Sequence, residues 1–351
     1  MKGNTTNLTP ISSELIKQDT GRTINLIEQT QSKGKLFIIK SANSWIEDAK
    51  NRPIPNMLFS EFWHEYEICI LFADTNQGKS LLGVQIANSI SKGKAIKGFK
   101  MESTKQLVLY FDFELSDKQF EKNYSNNYTN HYVFHENLKR IEINMDAELP
   151  KNKAFDDFLY ESFELAIIET QAKILIVDNI TYLKEETEKA KDALPLMKHL
   201  KSLKKRFGLS ILILAHTPKR DLSKPITRND IQGSKMLVNF VDSAFAIGES
   251  FKDPDIKYFK QIKQRNTSQI YNSENVVVCR IAKEDNFLEF EFVDFGTESE
   301  HLRYLSEDEK AKIESQIILT HQEHAHLSYR AIANKLGVNH MKVKRVLDKN
   351  K

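Results

Sequence analysis

The stretch that most restricts what this chain can fold into runs from Ile70 to Ile90, ILFADTNQGKSLLGVQIANSI. A continuous apolar run ends in a polar loop, and the loop closes on Gly78-Lys79-Ser80 at the start of an amphipathic helical pattern. Strand, loop and helix in that order point backbone N–H groups and a helix N-terminus at one spot, which suits a phosphate. The loop Ala73-Asp74-Thr75-Asn76-Gln77-Gly78-Lys79-Ser80 follows the phosphate-loop pattern, with Ala73 in place of the first glycine. That replacement removes backbone freedom but no phosphate ligand. Gly78 permits close backbone approach, Lys79 reaches the β- and γ-phosphates, and the Ser80 hydroxyl is expected to bind Mg²⁺.

Apolar runs alternate with helical patterns through the middle of the chain. They are Glu67–Ala73, Leu107–Phe113, Ile174–Val177, Ile211–Ala215, Ser243–Ile247, Tyr258–Lys263 and Val276–Ile281. Such runs separated by helices predict an α/β fold, a mainly parallel sheet covered on both faces. The last runs, with Phe287–Val293, are close enough to form an antiparallel extension. Residues 1–52 read as a polar arm with a short helix around Ser44–Lys50, residues 53–300 as the sheet domain, and residues 301–351 as a small all-helical domain.

Three further positions follow the phosphate loop in order. ILIVD ends an apolar strand in Asp178, where a carboxylate beside the loop can hold Mg²⁺ through a water. LVLYFDFE places Glu114 after another strand, where it can orient the water that attacks a γ-phosphate. Asp112, two residues earlier, is the rival for that role, and the pair could instead cap the next helix. ILILAH ends in His216, suited to sensing the γ-phosphate.

A phosphate loop, then Glu114, Asp178 and His216 after successive strands, resembles the RecA/DnaB superfamily, especially the RepA-like hexameric helicases of plasmids and mobile elements. The resemblance covers about residues 56–295 and implies a RecA-like P-loop fold that uses ATP with Mg²⁺. It also implies a loop facing a central channel; here Thr217–Lys235 carries Lys219, Arg220, Lys224, Arg228 and Lys235. Clustered cations of that kind can neutralise the phosphates of single-stranded DNA, and without an aromatic in the loop the contacts would be to backbone. In the relatives a Lys-x-Arg reaches the γ-phosphate held by the neighbouring subunit, and Lys263 and Arg265 match it. On a strand those two would share a face.

The end of the chain, SYRAIANKLGVNHMKVKRVLDK, resembles a helix-turn-helix. Ser328 and Asn339 cap the helices, Ile332, Ala333, Leu336, Val343, Val346 and Leu347 face inward, and Lys342, Lys344 and Arg345 are left for duplex DNA. His321, His324 and His326 match no common metal spacing and read as a polar turn. The formal net charge of +3 gives no overall basic signature, so any nucleic-acid surface is local. Two cysteines in 351 residues make no disulfide framework, the N-terminus lacks the apolar core of a signal peptide, and no run is long enough to span a membrane. Composition thus predicts a cytoplasmic protein, and the resemblance implies a homo-oligomer, a hexamer, that hydrolyses ATP and acts as a motor on single-stranded DNA. An ATP-switched DNA-binding regulator or mobilisation accessory protein is the alternative, and a filament-forming recombinase a more distant one.

Overall fold

The computed structural model describes residues 37–179, 190–217, 220–231, 235–303, 307–336, 338 and 340–350. They fall into two units, residues 1–54 and 55–351. Helix α1 (Ala42–Lys50) belongs to the first and buries none of its residues. It starts two residues earlier than expected because Ser41 caps it, its hydroxyl accepting the Ser44 N–H at 3.1 Å.

The second unit is built on a nine-stranded sheet. Its strands are β1 (Ile68–Ala73), β2 (Val108–Asp112), β3 (Leu138–Ile141), β4 (Ile174–Asp178), β5 (Ser210–His216), β6 (Ser243–Glu249), β7 (Ile256–Lys263), β8 (Val276–Glu284) and β9 (Phe287–Gly296). Across the sheet the order is β9-β8-β7-β6-β1-β5-β4-β2-β3. From β6 to β3 all neighbours are parallel, and from β6 to β9 all are antiparallel. The mainly parallel sheet and its antiparallel extension are therefore as the apolar runs predict. Strand β3 is the exception: its sequence LKRI is half polar and half buried, so no apolar run marks it.

Side chains alternate along β1 as a strand requires. Ile68, Ile70 and Phe72 enter one core with Phe163 and Ile167 of helix α4 (Phe155–Thr170) and Leu196, Leu200 and Leu203 of helix α5 (Ala190–Phe207). Cys69, Leu71 and Ala73 enter the other, with Leu82, Val84 and Ile86 of helix α2 (Lys79–Lys92). Burial of each large aliphatic side chain contributes about 1.5–3 kcal/mol, which is why strands apolar on both faces settle at the centre. Both cysteines are free and buried in this second core. The β8–β9 hairpin is clipped to α2 by Gln85, whose side-chain amide exchanges two hydrogen bonds with the Phe290 backbone, at 2.9 and 3.0 Å.

Helices α7 (Glu307–Glu323), α8 (Tyr329–Leu336) and α9 (His340–Lys349) share a small core of their own. Ile332, Ala333, Val343, Val346 and Leu347 are buried there, with Leu336 packed against them. The Ser328 hydroxyl accepts the Ala331 N–H at 3.2 Å; Gly337 and Asn339 lie outside the described residues. Among the described residues no helix is long and apolar enough to cross a membrane.

Candidate active site

Parallel register brings the chosen residues together. Ala73 at the tip of β1 pairs with His216 at the tip of β5, and Asp112 of β2 pairs with Asp178 of β4. All four stand at the C-terminal edge of the parallel strands, where an open α/β sheet places its ligands.

The loop between β1 and α2 turns through two left-handed residues, Asn76 (φ 63°) and Gly78 (φ 86°). Glycine is needed at the second on two counts. A Cβ there would suffer the left-handed clash and would lie 2.6 Å from the Phe290 ring. The Lys79 ammonium is nearly buried and donates to the carbonyls of Ala73 (3.3 Å) and Asp74 (3.0 Å). Burial lowers its pKa, while Glu114, Asp178 and Asp74 work to raise it. The lysine thus already shares a field with the acidic groups expected around a bound triphosphate and its metal.

Asp178 is wholly buried. Its Oδ2 accepts a 2.7 Å hydrogen bond from the Tyr110 hydroxyl of β2, which also reaches the Ser80 carbonyl at 3.3 Å. Gly83 leaves room for that hydroxyl, since a Cβ there would lie 3.2 Å from it. Burial pushes the Asp178 carboxyl up to about 7, against the Ser80 and Tyr110 hydroxyls and with the aid of Glu114 and Asp112. Its other oxygen, Oδ1, is buried without a well-formed hydrogen bond, although Ser80 is close enough to favour the charge. A buried carboxylate oxygen with lone pairs to spare beside a hydroxyl is an all-oxygen donor set, and it fits Mg²⁺.

Asn179, the residue after Asp178, ties Glu114 to His216. Its amide nitrogen lies 2.8 Å from Glu114 Oε2 and 3.0 Å from His216 Nε2. A carboxylate accepts only, so the NH₂ must face it, and the histidine Nε2 then accepts as well. That requires a neutral imidazole. Burial, and then Lys79, lower the His216 pKa and favour that form.

Asp112 is engaged elsewhere. Its Oδ1 accepts the N–H groups of Glu114 (3.2 Å) and Leu115 (3.0 Å), and its Oδ2 accepts Arg140 Nε at 2.8 Å. The cap of helix α3 (Asp117–Asn123) is Ser116, in a capping box with Gln119, so the Asp112/Glu114 pair does not cap it.

Lys263 and Arg265 stand apart from this cluster. Lys263 pairs with Ala244, and Ala244 with Ile70, so it sits three residues, about 10 Å, back from the tip of β1. The strand ends at Lys263, so Arg265 lies beyond its end rather than on it. The Lys263 ammonium donates to the carbonyls of Val238 (2.6 Å) and Val241 (2.7 Å), at and just past the end of helix α6 (Lys235–Phe240). Arg265 is exposed, with Asp242 at 3.5 Å.

The cationic loop is divided. Arg220 is turned inward, its side chain 7% exposed, donating to the Lys224 carbonyl at 2.8 Å. Lys224 is exposed and lies 3.1 Å from Asp221, and Arg228 is exposed. Lys219 and the side chain of Lys235 lie outside the described residues. On α9, Lys344 and Arg345 are exposed and Lys342 is half-buried.

Sequence reasoning passed over three residues that hold this cluster: Tyr110, Asn179 and Arg140. Asn179 directly follows Asp178, and its position in the chain gives no sign of the two residues it joins. Tyr110 reads as one more apolar strand position, and Arg140 lies on the strand that no run announced.

A family model described as an AAA domain matches residues 39–221, just over half of the chain. Among solved structures, a KaiC-like protein from the hyperthermophilic archaeon Pyrococcus horikoshii OT3 is similar over 65% of this chain and 91% of its own, at 12% identity and a TM-score of 0.43. No curated protein matches.

Proposed function

We propose, from the premise that this chain belongs to the AAA domain family, that it is an ATP-hydrolysing motor on single-stranded DNA, of the RepA-like helicase type. The observation that carries the reading is the convergence of Ala73–Ser80, Glu114, Asp178 and His216 at one edge of the sheet. In it, the loop N–H groups and Lys79 hold the β- and γ-phosphates of ATP. Ser80 and Asp178 hold Mg²⁺, which when bound supplies positive charge against the phosphate oxygens. Glu114 orients the attacking water, and His216, joined to it through Asn179, responds to the γ-phosphate. Lys263 and Arg265 are set back from their own phosphate loop, which supports a role at the site of a neighbouring copy in a ring, as a finger in trans. Lys224 and Arg228, with Lys219 and Lys235, contact the backbone of the strand; Arg220 acts by shaping the loop.

The exposed Lys344 and Arg345 on a three-helix unit with its own core favour a second reading: an ATP-switched regulator that binds duplex DNA through residues beyond 301. Unwinding of forked DNA by wild type and Lys79→Ala separates the two. Unwinding that is lost in the variant supports the motor. ATPase activity without unwinding in the wild type, with duplex binding lost on removing the last 50 residues or so, selects the switch.

A further inference from the structure

We infer that Arg140 is a positioning residue for Glu114, acting through Asp112; this rests on the reading of Glu114 as the group that orients the attacking water. Arg140 lies on β3, the edge strand next to β2, paired in register with Tyr110. Its guanidinium spreads over one loop. Nε donates to Asp112 Oδ2 (2.8 Å), Nη2 to the Leu115 carbonyl (2.6 Å) and Nη1 to Asp117 Oδ1 (2.7 Å), with Glu142 also in contact with Nη1. The ring of Phe120 lies against the cation at 4.8 Å.

Asp112 passes this hold on. Its free oxygen takes the N–H groups of Glu114 and Leu115. Arg140 therefore fixes the Glu114 backbone through Asp112 and the next carbonyl directly. On the other side of the loop, the Phe113 N–H donates to the Asp178 carbonyl at 2.7 Å. The loop bearing Glu114 is thus suspended between β3 and β4, and the Asn179 amide holds the carboxylate at its tip. The Asp112 side chain is 0% exposed and that of Arg140 21%, so their bond is shielded from water and charge-assisted. The guanidinium carries its donors on three separate nitrogens and so spans partners on both sides of the loop; a lysine ammonium holds its three donors on a single nitrogen and cannot bridge that spread.

A brace that merely supports the fold would act on stability and on ATP binding. A positioning residue acts on the reaction through Glu114 alone. The test is single-turnover ATP hydrolysis by the full chain with Mg²⁺, for Arg140→Lys, Glu114→Gln and the double variant, with KM for ATP and thermal melts alongside. Misplacing a reacting group by an ångström costs up to about 10²-fold, so Arg140→Lys is expected to lose about 10- to 10²-fold in kcat with KM near wild type. Added to Glu114→Gln it is expected to cost nothing further. The same fold loss in both backgrounds, or a raised KM with unchanged kcat, would overturn the inference. Should Arg140→Lys fail to fold, Asp117→Ala removes one exposed partner of the fork, and a smaller kcat loss, again absent with Glu114→Gln, is expected; an equal loss in both backgrounds refutes it. Full hydrolysis by Glu114→Gln removes the underlying reading of Glu114, and the role of Arg140 with it.

Discussion

Replacing Asp178 by asparagine should stabilise the metal-free protein at neutral and alkaline pH while abolishing its activity. The carboxyl has an ordinary pKa of 3.8 and is pushed to about 7 in the fold, burial being the largest cause. Below pH 3.8 both folded and unfolded chains hold the proton, and the group costs nothing. Between 3.8 and about 7 the unfolded chain ionises while the folded one does not, so stability falls as pH rises. Above about 7 both are ionised and the loss is complete. At about 1.4 kcal/mol for each tenfold change in proton affinity, the whole loss is about 4 kcal/mol. Asparagine keeps the shape, and its carbonyl can still accept the Tyr110 hydroxyl. In the presence of a chelator, urea unfolding at about pH 8 should therefore find Asp178→Asn more stable by roughly 2–4 kcal/mol, and at about pH 4 nearly equal to wild type. Added ATP and Mg²⁺ should narrow the gap, because ligand binding stabilises only a native state that can take it. A variant less stable than wild type at the higher pH, or a difference that does not change with pH, would refute the argument.

Other consequences can be checked directly. Gly78→Ala forces a left-handed alanine, costing about 1–2 kcal/mol, before its contact with Phe290 is counted; both stability and ATP affinity should fall, and Phe290→Leu should restore part of the stability. Asn179→Ala leaves Glu114 and His216 without their shared donor, and should lower stability by about 1–3 kcal/mol and slow single-turnover hydrolysis with little change in ATP binding. Lys263→Ala exposes the end of α6 and should lower the melting temperature, whereas Arg265→Ala should not. If Arg265 serves a neighbouring site, mixing inactive Arg265→Ala with inactive Lys79→Ala should recover ATPase activity, and no recovery would count against the finger in trans.

The phosphate loop was fully legible in the sequence, because eight consecutive residues carry it and local backbone geometry decides its shape. The parallel sheet was legible too, since strands buried on both faces must be apolar at every position. Glu114, Asp178 and His216 could be chosen because each directly follows such a run. What holds them was not legible. Asn179 joins residues 114 and 216, Tyr110 reaches residue 178, and Arg140 reaches Asp112 across a half-polar edge strand with no periodic signature. Spacing in the chain also suggested one strand carrying both Lys263 and Arg265, whereas β7 ends at Lys263. Arg220 shows the same limit: composition counts it as a free cation, while its loop folds it inward. Sequence by itself fixes what is local: a loop, a period, the residue at a strand tip. Which side chains meet across strands, and which charges stay in water, depends on strand order and register, and those are set only when both faces of the sheet are buried at once.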